Sequence, residues 1–152
     1  MAKQNGEHIL STEERKVIAD IIARIELKTS AELRVGIRLE RKRGEHGVAL
    51  AELALNEFYY LGMDKTGMRT GVLFFFLISE KEHRLMLDES IYKKIEPSVA
   101  LEIENKMKKC YSSQSFFEPL KESLNALGEI LAKEFPILPD DVNELPNDVS
   151  IR

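Results

Sequence analysis

The sequence predicts an α/β protein whose small sheet is covered by helices on both faces. Three observations carry that prediction. Val72 to Ile78 is an unbroken apolar run with three successive phenylalanines, bounded by Gly71 and the charged Ser79-Glu80-Lys81 turn. A run of that length and aromatic content reads as a strand buried on both faces, and such strands lie inside sheets roofed by helices. Leu33 to Leu39 alternates apolar and polar residues with the period of a strand, and further segments repeat their apolar residues at helical spacing.

A length of 152 residues suits one domain with a sizeable core. The formal net charge of −4 argues against a nucleic-acid-binding protein driven by net electrostatics. The local basic group Arg38, Arg41, Lys42 and Arg43 reads as a solvated strand end. The first thirty residues are heavily charged and lack the apolar core of a signal peptide. Val72–Ile78, the longest apolar run, is far too short to span a bilayer as a helix. A single cysteine, Cys110, permits no internal disulfide. The expectation is a soluble, cytoplasmic chain with no membrane insertion and no nucleic-acid partner.

In chain order, a flexible polar lead-in is expected over residues 1–10. Ser11-Thr-Glu-Glu14 has the spacing of a capping box, and Ile18, Ile21, Ile22 and Ile25, widened by Val17, form the stripe of a helix over about 12–28. Thr29-Ser30 stops it. In the strand that follows, Leu33, Val35, Ile37 and Leu39 point one way, while Glu32, Arg34, Gly36, Arg38 and Glu40 point the other. That alternation predicts one wet face and a place near a sheet edge. After a glycine-closed loop, Val48 to Tyr60 returns to helical spacing, with Leu50, Ala51, Ala54, Leu55, Phe58 and Tyr59 as its broad face and Gly62 placed to cap its end.

Beyond the central run, the tight turn leaves no room for a crossover, so Arg84 to Asp88 is expected as an antiparallel third strand. One helical turn is expected over Ser90–Ile95. Pro97 suits the first position of the next helix, whose stripe is Val99, Ala100, Ile103 and Met107 and whose end falls near Cys110. Pro119 falls in the first turn of the last helix, which buries Leu120, Leu124, Leu127, Ile130, Leu131 and Phe135 before Pro136 terminates it. The folded domain is thus expected over 11–136, with an extended tail over 137–152. In that tail Leu145 and Val149 would be exposed unless docked on the body.

The residues resemble a known family. The capped helix, then Thr29-Ser30-Ala31-Glu32-Leu33-Arg34-Val35, a helix ending in Phe58, Leu61-Gly62-Met63, Thr66 and Gly71-Val72-Leu73 resemble the TPM domain. Phe135-Pro136, Asp140-Asp141 and Glu144-Leu145-Pro146-Asn147-Asp148-Val149-Ser150 are similar to its short, soluble bacterial branch. The resemblance implies a three-layer α/β/α sandwich with a small mixed central sheet. It also implies an association of divalent cations, calcium especially, with acidic loops, and it includes an acid phosphatase among its members. The chain departs from the family pattern at Thr70, where many members have Asn, at Leu87-Asp88-Glu89-Ser90-Ile91, where two glycines are missing, and at His83 before Arg84.

Two constellations follow. Glu32, Asp64, Asp88 and Glu89 are the candidate ligands of a calcium or magnesium ion, since a hard cation takes about six to eight oxygen ligands and strand-end loops can converge. The plainer reading has Asp88 and Glu89 capping a helical turn, Asp64 starting a turn and Glu32 paired with an arginine. Lys65, Thr66, Arg69 and Thr70, with the loop amides, are the candidate phosphate-binding group. That loop precedes a strand and does not match the phosphate-loop pattern, which favours the plainer reading of a structured connection whose threonines satisfy turn amides. His8, His46 and His83 are scattered and suggest no nucleophilic triad. The departures fall in the loops a site would need. They favour a non-catalytic, cation-responsive interaction module with a protein partner over a cation-dependent, acid-phosphatase-like hydrolase of phosphomonoesters.

Overall fold

The computed structural model describes residues 6–139 and 145–152; the expected Asp140-Asp141 and Glu144 of the tail, and residues 1–5 of the lead-in, lie outside the described residues. The elements run α1 (Thr12–Glu26), β1 (Glu32–Arg38), α2 (Leu50–Tyr60), β2 (Gly71–Leu77), β3 (Glu82–Leu87), α3 (Glu89–Lys94), α4 (Pro97–Ser112), α5 (Phe117–Glu134) and β4 (Ser150–Ile151). Ser11 starts α1 through a complete capping box: its hydroxyl accepts the Glu14 amide at 3.1 Å and the Glu14 carboxylate accepts the Ser11 amide at 2.9 Å.

The sheet order is β3-β2-β1-β4. β1 runs parallel to both β2 and β4, and β2 pairs antiparallel with β3. The three phenylalanines of β2 alternate: Phe74 and Phe76 enter a core shared with α1, α4 and α5, and Phe75 enters a second core shared with α2. All three are fully buried, each contributing about 1.5–3 kcal/mol of transfer free energy. The result is a three-layer α/β/α sandwich with a small mixed sheet, and β2 lies inside it as expected.

β1 differs from expectation. All seven of its residues are buried, and it lies between β2 and β4 with no wet face. Its arginines tolerate this because they are partnered: Arg34 donates to the Asp148 carbonyl at 3.0 Å, and Arg38 pairs with Glu45 and Glu57. The face of α2 is correspondingly rotated. Leu53, Ala54, Glu57 and Phe58 are buried, whereas Ala51, Leu55 and Tyr59, expected inside, are exposed. Gly36 lies close under Leu73 and Leu61, for a Cβ there would lie 3.2 Å from Leu73 Cδ1 and 3.3 Å from Leu61 Cδ1.

The tail also does more than cover the surface. Leu145 packs on the second core, Val149 on the first, and Ser150–Ile151 add a fourth strand that periodicity did not signal. At the other end, Gly6 and Leu10 are buried, and Gly6, at φ +81°, lies so close to Ile151 that a Cβ there would meet its Cγ2 at 2.5 Å. α4 runs two residues past Cys110, to Ser112.

Candidate functional site

The candidate residues gather where β1 and β2 begin and β3 ends. α2 stops at Gly62, whose left-handed backbone (φ +72°) turns the chain, and Met63–Lys65 form one turn of 3₁₀ helix. Met63 is fully buried and pins this turn to the second core. Thr66 and Thr70 then tie the loop shut. Thr66 Oγ1 accepts the Thr70 amide at 3.0 Å, and the Thr70 hydroxyl donates to the Ser30 carbonyl at 3.2 Å. The Glu32 amide donates to the Thr70 carbonyl at 3.0 Å, which carries the loop onto β1.

Arg69 links this loop to the end of β3. Its backbone is left-handed, at φ 58°, a conformation costing about 1–2 kcal/mol for a side chain with a Cβ. The contacts it gains offset this: its Nε lies 3.1 Å from both Asp88 carboxylate oxygens and its Nη2 lies 2.9 Å from Oδ1. The Asp88 bond raises the Arg69 guanidinium further above its already high pKa. Asp88 is itself the N-cap of α3, accepting the Glu89 amide at 2.7 Å. The Ser90 amide and hydroxyl reach the Arg69 and Met68 carbonyls at 3.1 and 2.6 Å.

Four of the candidates, Thr66, Arg69, Thr70 and Asp88, are therefore brought together, and their polar groups are used in holding the three strand ends to one another. Glu89 lies at the rim of this knot, its carboxylate 3.9 Å from Arg69 Nη1. Its exposed carboxylate pairs with Lys93 at 3.0 Å, which holds it below the usual glutamate range. Lys65 is exposed. Glu32 is buried at the start of β1, on the face expected to be wet. Asp64 differs from the rest: its Oδ1 is shut off from solvent and has no hydrogen-bond partner.

Among the described residues no three His, Cys, Asp or Glu side chains stand close enough to hold a metal ion. Glu32, Asp64, Asp88 and Glu89 thus form no joint carboxylate centre.

Sequence reasoning missed a second polar cluster, at the opposite end of β1. Glu57, wholly buried in α2, receives Arg152 through Nη2 at 2.6 Å and Nε at 3.1 Å, and Arg38 through Nη1 at 3.5 Å. Arg38, expected in a solvated run, also donates to Glu45; that bond, outweighing desolvation, holds the Glu45 carboxyl below its ordinary pKa. Burial draws the Arg34 guanidinium below its ordinary pKa, against the pull of Asp148 and Glu57. The signal was present: Glu57 lies three and four residues after Ala54 and Leu53, within the apolar stripe, where an acid requires a cationic partner.

A profile of the TPM domain matches residues 4–130. The chain belongs to the TPM-domain family. This TPM domain is also similar in structure to the BA42 protein of the psychrophilic bacterium Bizionia argentinensis, determined by NMR, with a TM-score of 0.85 and 28% identity over 100% of both chains. No curated protein matches it with significance. Among the described residues, no helix of the TPM domain is long and apolar enough to cross a membrane.

Proposed function

We propose that this TPM domain is a non-catalytic, divalent-cation-responsive interaction module that serves a protein partner in the cytoplasm. The observation that carries the proposal is the Arg69–Asp88 closure. Of the residues that would bind phosphate or assist hydrolysis, Thr66, Arg69, Thr70 and Asp88 are engaged in joining the β1, β2 and β3 ends, with Thr66 and Thr70 bonded to the loop and to Ser30. A hydrolase needs a group held ready for substrate, whether nucleophile, acid or base. The cation response is assigned to Asp64. A shielded carboxylate oxygen without a donor is costly, and a calcium or magnesium ion bound to Asp64 would offset that cost.

The test is an amide chemical-shift titration with Ca²⁺ and Mg²⁺, paired with an assay on a generic phosphomonoester. Saturable shifts centred on Gly62–Thr66, lost in Asp64→Asn, with no turnover, are the expected result. Turnover that Asp88→Asn abolishes while the domain stays folded would assign the acid-phosphatase-like activity instead. Flat shifts at millimolar ion would remove the cation from the reading.

A further inference from the structure

The far end of β1 contains a recognition geometry that is already filled. Residues 148–152 lie along its edge as an added parallel strand, pairing Gly36 with Ser150 and Ile37 with Ile151. The Arg152 amide donates to the Ile37 carbonyl and the Leu39 amide to the Arg152 carbonyl, each at 2.9 Å. The Asp148 carbonyl is held by Arg34. The Arg152 side chain then turns inward. Its guanidinium forms a two-pronged contact with the buried Glu57 and stacks on the Tyr60 ring at 3.6 Å from the centroid. A planar fork against a carboxylate with an aromatic face behind it is the chemistry that selects arginine over lysine. Strand addition to a sheet edge is a common way to hold an extended peptide, with pockets for its side chains providing specificity.

The occupant is also short and only partly buried. β4 has two residues, and none of residues 145–152 is fully buried. Short, partly exposed segments of this kind open far more readily than the core they cover. Opening would leave β1 with an unpaired edge and Glu57 in an apolar setting with only Arg38 at 3.5 Å and the more distant arginine charge of the strand face.

We propose that the β1 edge, Glu57 and Tyr60 form a binding cleft for an extended, arginine-bearing segment of a partner protein, and that residues 148–152 occupy it in cis as a displaceable strap. Charge complementarity sets the partner chemistry: an extended backbone, an apolar β-branched residue at the place of Ile151, and an arginine after it. The cleft lies at the opposite end of β1 from the Asp64 loop, so the proposal stands independently of any cation response.

The test uses the full chain and a blocked, fluorescent peptide of residues 147–152 as the probe, in wild type and in Arg152→Ala. The tethered strap competes in wild type, so removing its arginine should tighten probe binding by at least about ten-fold. Amide shifts should fall on Ile37–Leu39 and on Glu57–Tyr60. A probe with alanine in place of the arginine should not bind. Tyr60→Leu, an exposed position, should weaken the arginine probe in the Arg152→Ala background; should Arg152→Ala fail to fold, Arg152→Lys replaces it in the same comparison. Equal binding of the two probes, or no gain in either Arg152 variant, overturns the proposal. So does a doubled mass of the wild-type chain that Arg152→Ala abolishes, which would assign the cleft to strand exchange between copies.

Discussion

Arg38 and Glu57 face each other 3.5 Å apart with side chains 3% and 0% exposed, so the interface between sheet and α2 contains a charge pair shut off from water. Removing one partner of such a pair costs more than the pair itself contributes, because the survivor stays buried and ionised. Glu57→Ala should therefore lower the unfolding free energy by about 3–5 kcal/mol. A double replacement, Arg38→Met with Glu57→Leu, should lie closer to wild type than Glu57→Leu alone, which leaves Arg38 buried without that partner. Urea denaturation of the three variants measures both effects.

Acid should weaken the same region through Glu45. Its carboxyl is held below the ordinary value of 4.5, chiefly by the Arg38 bond. The unfolded chain therefore binds this proton more readily than the folded one. The stabilisation is complete above 4.5 and disappears as pH falls through the lowered folded value. Wild type should lose stability on that limb, and Glu45→Gln should show a shallower acid slope in thermal melts between pH 6 and about 3.

Asp88 separates two roles by substitution. Asp88→Ala removes the cap of α3 and the Arg69 partner together, for a loss of about 1–2 kcal/mol. Asn caps nearly as well as Asp but removes the charge that Arg69 meets; with Arg69 more than half exposed and Asp88 buried, Asp88→Asn should cost about 1 kcal/mol or less, below the Asp88→Ala loss. A loss in Asp88→Asn as large as in Asp88→Ala, seen in thermal melts, would mean that the ion pair and not the cap holds the strand ends.

Cys110 should be chemically quiet. Burial pushes its thiol up to about 12, so at pH 8 the thiolate fraction is on the order of 10⁻⁴. Alkylation by iodoacetamide should be at least about 100-fold slower than in denaturant and should rise with pH through the alkaline range. Timed mass spectrometry measures the difference.

The parts of the fold legible in the sequence were those written in a repeating pattern. The seven-residue apolar run is β2, the isoleucine stripe is the buried face of α1, and the spacing of Ser11 and Glu14 is a capping box with both bonds made. β1 was misjudged because alternation marks polarity and not solvent: its arginines point away from the first core yet meet Glu57, Glu45 and the Asp148 carbonyl. β4 was missed because two residues have no period, and its place depends on a partner strand over one hundred positions earlier, Gly36 against Ser150. The convergence of Thr66, Arg69, Thr70 and Asp88 followed from strand ends lying side by side. The donors each of them already uses depend on loop geometry that no spacing encodes.

The two margins of the sheet have different consequences for self-association. β4 covers the β1 margin. At the other, among the described residues, β3 pairs only with β2, and the Asp88 amide bonded to the Gly71 carbonyl sets which backbone groups turn inward. By alternation along an antiparallel ladder, those of His83, Leu85 and Leu87 turn outward. An open row of this kind is a template for runaway stacking of one molecule on the next. Here the row is short, and it begins Glu82-His83-Arg84, so an incoming strand must desolvate charge before it gains its first ladder bonds. At this margin the guard against stacking is thus the charge of Glu82 and Arg84, while at the opposite margin it is the pairing of Ser150–Ile151 with β1.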